Sequence, residues 1–259
     1  MKQTLGDIDE MLDVLGLPLV ARRLDEIASS PQLSDYSPVQ LVREILQDQY
    51  LETRNNRFLV NLRLSSVLNR DARVEGRKTG NGRVYNDGTV GQVHSFSFVG
   101  DGQNVGVYGV TDAGKSYFLA ACCIKACRRN IRCKFVDYSE MLDGLTVLQR
   151  KDLTRYTKKV RYYLKISLLF IDDFAINRYP EETVNILYHL VKMRADYGTS
   201  TMFSCQYSPD EWGRHIGDDT SCYGKLDGTR RRLTNGYTVL IEKSKRFWPA
   251  FEPVLSLAA

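Results

Sequence analysis

The sequence predicts an α/β protein with three layers, in which helices cover both faces of a central parallel sheet. A small all-α domain precedes this sheet. Two observations support the prediction. Strand-like and helix-like segments alternate from Asn104 to Glu242, and repeated strand–helix units form parallel sheets with helices on both faces. A phosphate-binding loop also joins the first of these strands to the first helix, which is the arrangement such a loop requires.

Composition and charge set wide bounds. The chain has 259 residues, of which 43% are hydrophobic and 26% charged, as is ordinary for a soluble globular protein. The net charge of +5 permits nucleic-acid binding without demonstrating it. The sequence has no apolar run of 18 residues and no signal-peptide core near Met1, so we expect a cytoplasmic protein with no membrane partner.

Residues 1–75 are predicted to form a helical domain, whose predicted binding of DNA or a partner rests on the basic residues described next. Two helices separated by Gly16-Leu17-Pro18 follow from apolar residues at helical spacing. A third helix begins at a capping box formed by Ser37 and Gln40, with Pro38 in the first helical position. This helix extends to about Leu68, and a break near Asn55-Asn56 is left open.

The second half of this helix and the residues after it are basic. The stretch has only Asp71 and Glu75 as acids. It forms either a DNA-backbone contact surface, because arginine and lysine neutralise phosphates, or a solvated helix face. The basic residues are Arg54, Arg57, Arg63, Arg70, Arg73, Arg77, Lys78 and Arg83.

Residues 76–103 are rich in glycine, which predicts a linker between the helical domain and a second domain over 104–259. Seven glycines lie in this stretch: Gly76, Gly80, Gly82, Gly88, Gly91, Gly100 and Gly102. This second domain is predicted to have strands at 104–108, 133–137, 167–172, 199–205 and 237–242. Its predicted helices run from the phosphate-binding loop to about 129, and over 139–150, 152–164 and 180–197.

The phosphate-binding loop spans Gly109 to Ser116 and reads G-x-x-x-x-G-K-S, the Walker A pattern. Its glycines let backbone N–H groups turn toward a triphosphate. Lys115 is predicted to reach the β- and γ-phosphates of ATP, and Ser116 to ligate Mg²⁺. The predicted nucleotide-binding residues are Gly109, Val110, Thr111, Asp112, Ala113, Gly114, Lys115, Ser116 and Tyr117.

A second motif lies 57 residues after Lys115, where the four apolar residues 168–171 precede Asp172 and Asp173. This is the Walker B pattern, and a parallel strand delivers such acids to the ligand-binding edge of its sheet. Asp172 is predicted to hold Mg²⁺. Asp173 is predicted to polarise the attacking water, with slow hydrolysis because aspartate is shorter than the usual glutamate.

Three further positions complete the predicted catalytic set. Gln206, or as second choice Ser204, follows the next strand and is expected to order the attacking water. The run Arg230-Arg231-Arg232 forms either an arginine finger that reaches a neighbour's nucleotide or a plain basic patch. Arg246 follows the last strand and is expected to sense the γ-phosphate.

Six cysteines occur at positions 122, 123, 127, 133, 205 and 222, without paired C-x-x-C elements or histidine partners at ligand spacing. Cys123 and Cys127 are four residues apart on a predicted buried helix face. The cysteines are therefore interpreted as small apolar core residues in a reducing compartment, with no role in metal binding.

Several of these segments together resemble the IstB-like ATP-binding proteins of bacterial insertion sequences, relatives of the DnaC/DnaI helicase loaders among the AAA+ ATPases. The resemblance extends over most of residues 1–246. Besides the Walker motifs, it rests on 48–57 with Asn61-Leu62-Arg63, Lys125-Ala126-Cys127-Arg128, Ser204-Cys205-Gln206, Asp210-Glu211-Trp212 and 216–220. Asp112 departs from the family, which usually has glycine there, and the match is poor over 76–103 and loose over 222–232.

The resemblance implies an ATPase that assembles with ATP as a homo-oligomer on duplex DNA, without strong sequence preference, and assists a DDE transposase. It favours DNA contact by Arg54, Arg57, Arg63 and Arg70. It implies that Arg232 is the finger, with Arg231 and Arg230 as alternatives, and that Arg246 is a second sensor. Two other functions are left open, a DnaC/DnaI-type helicase loader and a nucleotide-gated module that does not hydrolyse ATP.

Overall fold

A computed structural model describes residues 2–75, 83–217 and 222–243. The chain divides into two compact units, Met1–Val60 and Asn61–Ala259. The predicted division at residue 75 thus falls inside the second unit. One helix, Pro38–Ser65, continues across the observed boundary between Val60 and Asn61. The sequence therefore contains no turn or linker signal at that position.

The first unit consists of helices and one 3₁₀ turn, Pro31–Asp35. The predicted capping box is present, because Ser37 N donates to Gln40 Oε1 at 2.9 Å and Gln40 N donates to Ser37 Oγ at 3.3 Å. The helix that begins there continues without a break at Asn55-Asn56. The helices are α1 (Lys2–Val14), α2 (Pro18–Ala28) and α3 (Pro38–Ser65).

The second unit alternates strands and helices. The strands are β1 (Arg83–Tyr85), β2 (Asn104–Tyr108), β3 (Cys133–Asp137), β4 (Leu168–Phe174), β5 (Ser200–Cys205) and β6 (Gly236–Lys243). The helices are α4 (Asp87–Ser95), α5 (Ser97–Gly100), α6 (Lys115–Arg128), α7 (Tyr138–Lys151), α8 (Leu153–Lys165), α9 (Glu181–Asp196), α10 (Trp212–His215) and α11 (Tyr223–Leu233). Five of these strands correspond to predicted ones with ends shifted by at most two residues.

The six strands form one sheet in the order β1-β6-β2-β5-β4-β3. The five strands from β6 to β3 are parallel, as predicted, and β1 joins β6 antiparallel. Strand β5 separates β2, which leads into Walker A, from β4, which carries Walker B. Because parallel strands end at the same edge, both motifs and the end of β5 lie together there.

The predicted glycine-rich linker is wrong over 83–103, the part of it that the structure describes. This stretch contains β1, α4 and α5, and it buries Val90, Val93, Phe96 and Phe98. A Cβ added at Gly91 would meet no atom within 4 Å, so this glycine is not required by packing. Glycine costs a helix only about 1 kcal/mol, which burial of several large apolar side chains outweighs.

Two asparagine side chains join separate elements of the second unit. Asn86 Nδ2 donates to Thr238 O at 2.8 Å, and Leu240 N donates to Asn86 Oδ1 at 3.1 Å, so this amide ties the end of β1 to β6. The amide of Asn104 at the start of β2 donates from Nδ2 to Arg232 O at 2.7 Å. Its Oδ1 accepts a hydrogen bond from Thr201 N at 2.7 Å. The end of α11 is thereby fixed to the strand that leads into Walker A.

All six cysteines are free thiols and are buried, as predicted. Among the residues described, no helix combines the length and the apolar character that a membrane span requires.

Candidate nucleotide-binding site

The Walker A loop joins the buried strand β2 to the first turn of α6, as its sequence predicts. Gly109 is required by close packing, because a Cβ at this position would lie 2.5 Å from the carbonyl oxygen of Ile241 on β6. Gly114 has φ +100°, a conformation that residues with a Cβ rarely adopt. At both glycine positions of the motif, a side chain would therefore be sterically unfavourable.

Asp112 adopts a left-handed backbone conformation with φ +61°. Glycine takes this conformation without strain, and aspartate and asparagine tolerate it better than most other residues. The structure thus explains how an acid occupies a position where the related family usually has glycine. It also places a negative charge at the cleft where phosphate binding is predicted.

Lys115 is the first residue of α6, and only 7% of its surface is exposed. Its Nζ donates to the backbone oxygen of Val110 at 3.0 Å. Burial lowers the pKa of Lys115, and the negative charge of Asp173 is the largest effect in the opposite direction. The positively charged group at this loop is the ammonium group of Lys115.

A cleft of about 770 Å³ opens beside this loop. Its walls include Thr111, Asp112, Gly114, Lys115, Ser116, Tyr117, Asp173 and Gln206, all of them predicted from the sequence. Two further wall residues, Tyr85 and Ile176, were missed. Tyr85, the last residue of β1, is a large aromatic residue and so could have been a candidate. It was passed over because it lies within the predicted linker.

Strand β4 is irregular where it carries the two acids. Its register against β5 shifts between Ile171 and Phe174, and Asp173 has φ +52°. Such a bulge turns consecutive side chains away from strict alternation. Burial and the nearby charge of Asp172 raise the pKa of Asp173, while Lys115 acts against them. A raised pKa makes this carboxylate a better proton acceptor.

Ser204 on β5 connects the two acids and is itself fully buried. Its hydroxyl donates to Asp172 Oδ1 and accepts a hydrogen bond from Asp173 N at 2.9 Å. Because both of these bonds hold the hydroxyl, Ser204 orients the Walker B acids, and a role in ordering water is better suited to Gln206. The Gln206 Oε1 accepts a hydrogen bond from Thr111 Oγ1 at 3.1 Å, which places the amide at the Walker A loop.

The three arginines at the end of α11 have different surroundings. Arg230 pairs with Asp210 at 2.7 Å and with Asp227 at 2.9 Å. The side chain of Arg231 is 76% exposed, with an ion pair to Asp227 at 2.8 Å. Arg232 donates to the carbonyl oxygen of Gly228 at 2.9 Å and lies over the ring of Tyr188. Arg231 is therefore the most exposed of the three.

Other predicted residues lie on the surface or outside the described ranges. Arg54, Arg57, Arg63 and Arg70 are all exposed. Within the part of the chain that the structure describes, none of these four pairs with a carboxylate. Arg77, Lys78, Arg246 and positions 218–221 lie outside the described residues.

The cleft fits a nucleoside triphosphate with its magnesium ion. The volume lies within the usual range for small-molecule sites. A lysine buried at the N-terminus of a helix, a loop whose glycines permit close approach and an exposed Ser116 suit phosphate oxygens. Asp172 does not line this cleft; it lines a second cavity together with Lys134 and Asp137, and its charge acts on Lys115. Its carboxylate is an oxygen ligand of the type that magnesium prefers.

Solved structures share this fold. AMPPCP-bound DnaA from Aquifex aeolicus matches with a TM-score of 0.53 and 17% identity over 68% of this chain and 51% of that chain. Domain III of DnaA from Thermotoga maritima matches with a TM-score of 0.51 and 16% identity over 68% of each chain. DnaI matches with a TM-score of 0.50 and 19% identity over 60% of this chain and 81% of that chain. The chain spans about half the length of the first DnaA chains that it matches.

These structural likenesses support the predicted AAA+ fold. No curated protein sequence matches the chain significantly. The sequence model of the family described as "IstB-like ATP binding protein" matches residues 10–234, which include most of the helical unit and the residues of the nucleotide cleft. The chain therefore belongs to the IstB-like ATP-binding protein family and has the AAA+ fold.

Proposed function

We propose that this protein is an ATP-hydrolysing DNA-binding protein that assembles on duplex DNA with ATP and assists a DDE transposase. The observation that carries the proposal is the family match over residues 10–234, which joins the basic helical region to the nucleotide cleft in one unit of similarity. The exposed arginines support the proposed DNA binding, and the geometry of the Walker motifs supports the proposed ATP hydrolysis.

The proposed hydrolysis assigns tasks to residues of the cleft and to the neighbouring Asp172. Lys115 neutralises charge on the β- and γ-phosphates, while Ser116 and Asp172 hold Mg²⁺. When bound, the ion offsets negative charge that develops on the phosphate oxygens. Asp173 accepts the proton of the attacking water, as its raised pKa favours.

Two neighbouring residues assist this arrangement. Gln206 orients the attacking water from its position beside Thr111. Tyr85 offers an aromatic surface to the rest of the nucleotide, since its side chain forms part of the cleft wall.

The proposed assembly completes each site with a positive charge from the neighbouring subunit. Arg232 is the finger that the family resemblance implies. Its hydrogen bond to Gly228 O and its position over the Tyr188 ring must be released for it to reach outward. Arg231 is the alternative that exposure favours, because it has to break only one exposed ion pair. Arg246 is proposed as a sensor on the strength of the sequence alone.

The proposed DNA contact uses Arg54, Arg57, Arg63 and Arg70. Their exposure leaves the guanidinium groups accessible to phosphates. Contacts to phosphates give affinity without reading the base sequence, so binding should depend weakly on sequence and steeply on salt.

Sedimentation of the full chain with duplex DNA tests the assembly. We expect large complexes with ATP or AMPPCP, smaller species without nucleotide, and loss of the large complexes in Lys115→Ala. Replacing Arg54 and Arg57 together with glutamine should weaken DNA binding and reduce the salt slope by about two. The same complexes with and without nucleotide would contradict the proposal.

Phosphate release and partner capture test the remaining parts. Release that is lost in Asp173→Asn, with nucleotide binding retained, supports hydrolysis, whereas a wild-type protein without release would be a nucleotide-gated module. Retention of a DDE transposase on the immobilised chain supports the role in transposition. Retention of a replicative helicase in its place would identify a loader.

A further inference from the structure

Three buried thiols from two elements converge beside the Walker A helix. Cys123 and Cys127 lie on α6, and Cys133 is the first residue of β3. The Sγ atom of Cys133 lies 3.7 Å from that of Cys123 and 3.4 Å from that of Cys127. All three sulfur atoms lie within 4.8 Å of one another, and no more than 4% of any of these residues is exposed.

The local fold explains this convergence. Residues four apart in a helix lie on the same face, so Cys123 and Cys127 both point to the strand that packs on α6. The chain reverses after α6 through Asn130, which has φ +58°, and brings Cys133 back against that face. No C-x-x-C pair is needed, because the third sulfur comes from the strand.

A fourth polar atom reaches the same place. The hydroxyl of Ser65, at the end of α3, is buried and lies close enough to Cys123 and Cys127 to lower the pKa of both thiols. The same hydroxyl donates to Leu62 O at 2.8 Å and accepts a hydrogen bond from Val67 N at 3.4 Å. The group therefore contains three sulfurs and one oxygen in an otherwise apolar interior.

The spacing of the sulfurs suits a tetrahedral metal. Four-coordinate Zn²⁺ has Zn–S bonds of about 2.3 Å, which places two ligating sulfurs roughly 3.8 Å apart. The distances from Cys133 Sγ to the other two sulfurs, 3.4 and 3.7 Å, lie close to this value. Cys122, although adjacent in sequence and equally buried, does not belong to the group.

We propose that Cys123, Cys127 and Cys133 bind one Zn²⁺ ion, with the Ser65 hydroxyl as the fourth ligand. Each thiol that binds releases its proton to solvent, and three thiolates with one Zn²⁺ leave a net charge of −1. The site is closed on all sides by protein, which is the character of a structural site. Its ion enters while the chain folds, because the thiols are covered in the folded state.

The site lies where it can stabilise the nucleotide-binding elements. It joins α6, which begins at Lys115, to β3, which ends at Asp137. Asp137 is paired in register with Asp172 on β4. Metal binding therefore cross-links α6, the helix after Walker A, to β3, the strand next to the Walker B strand β4. It contributes no group to the cleft.

The first test uses the wild-type full chain, produced in zinc-supplemented medium or refolded with Zn²⁺ under reducing conditions. We expect one tightly held zinc per chain after dialysis, and an X-ray absorption spectrum with three sulfur ligands at about 2.3 Å and one oxygen at about 2.0–2.2 Å. Removal of zinc by a chelator should lower the melting temperature. A chain that holds no zinc, or holds it through two or fewer sulfurs, overturns the proposal.

The second test separates this site from adventitious binding. Cys127→Ala and Cys133→Ala should each lower zinc affinity at least about tenfold, whereas the matched buried control Cys122→Ala should retain the full content. Binding of AMPPCP and the far-ultraviolet circular dichroism spectrum identify variants that have simply failed to fold. The same zinc content in the control and in folded Cys127→Ala and Cys133→Ala would show adventitious metal only.

Discussion

The hydroxyl of Ser204 is bonded to the carboxylate of Asp172 on the neighbouring strand, and it also accepts the backbone N–H of Asp173. One serine thus fixes the side chain of one Walker B acid and the backbone of the other. Groups that orient a metal ligand in this way commonly contribute about 10- to 100-fold to metal affinity or activity.

We therefore expect Ser204→Ala to lower ATP turnover by about 10- to 100-fold and to raise the Mg²⁺ concentration needed for half-maximal activity. Steady-state ATPase assays across a magnesium series measure both effects. Ser200→Ala is the matched control, because Ser200 is equally buried at the opposite end of β5. Equal losses in the two variants would indicate general damage to the strand.

Asp173→Asn should abolish turnover and stabilise the nucleotide-free protein. The pKa of Asp173 is raised by burial and by Asp172, so its ionised form destabilises the folded state. That cost is absent below the ordinary pKa and complete above the raised one. Wild type therefore loses stability as the pH rises through this window, and the variant does not. Asparagine also tolerates the positive φ.

Thermal denaturation at about pH 4 and about pH 7 checks this expectation, using the ordinary pKa of an aspartate as reference. The melting temperature of Asp173→Asn should exceed that of wild type by more at the higher pH. A variant that is less stable than wild type at neutral pH would mean that the charge of Asp173 is favourable in the folded state.

Asp112→Asn should strengthen nucleotide binding. Removal of one negative charge about 6 Å from a phosphate in a water-like environment is worth about 0.7 kcal/mol, or about threefold in affinity. Asparagine keeps the tolerance for φ +61°. Fluorescence titration with a labelled ATP analogue at low and high salt measures the effect, which should shrink as salt rises. An unchanged affinity at low salt would show that this carboxylate does not face the phosphates.

Gly109→Ala and Gly91→Ala should have opposite effects. The added Cβ at Gly109 would lie 2.5 Å from Ile241 O, so the loop must shift and nucleotide binding should be lost. At Gly91 the added atom meets open space in α4, where alanine should raise the free energy of unfolding by about 0.5–1 kcal/mol. Denaturant unfolding and AMPPCP binding measure the two outcomes. Destabilisation by Gly91→Ala would argue against α4.

Mixtures of subunits distinguish the candidate arginine fingers. A finger variant and Lys115→Ala should each be inactive alone yet regain part of the ATPase activity when mixed, because intact sites then form between unlike subunits. We expect this for Arg232→Ala, and for Arg231→Ala if the exposed residue acts instead. Arg230→Ala tests the third candidate and also removes two ion pairs from the same helix. Recovery in none of the mixtures would exclude a finger supplied by a neighbouring subunit.

The sequence was most informative where a strong local pattern coincides with the fold. The Walker A motif between Tyr108 and Lys115 predicted a strand, a loop and a helix, because glycine requirements and apolar runs act over a few residues. The capping box at Ser37 and Gln40 was equally local, and its hydrogen bonds are present.

The features that sequence reasoning missed depend on contacts between distant residues. Tyr85 reaches the cleft because β1 joins β6, about 155 residues later in the chain. The bulge at Asp173 and its bond to Ser204 follow from strand register, which no local pattern encodes. Glycines at 88 and 91 suggested a linker because composition does not reveal which apolar neighbours become buried.

The amide of Asn104 gives the second unit a mechanical property. It holds the carbonyl of Arg232 and the backbone of Thr201 at once, so the last turn of α11 cannot shift without pulling on β2 and β5. Both strands end at the nucleotide cleft. If subunits assemble as proposed, a small displacement on hydrolysis in one cleft is passed as a rigid-body movement to the arginines offered to the next subunit. The side-chain amide of Asn104 would then couple the nucleotide state of one subunit to the position of α11.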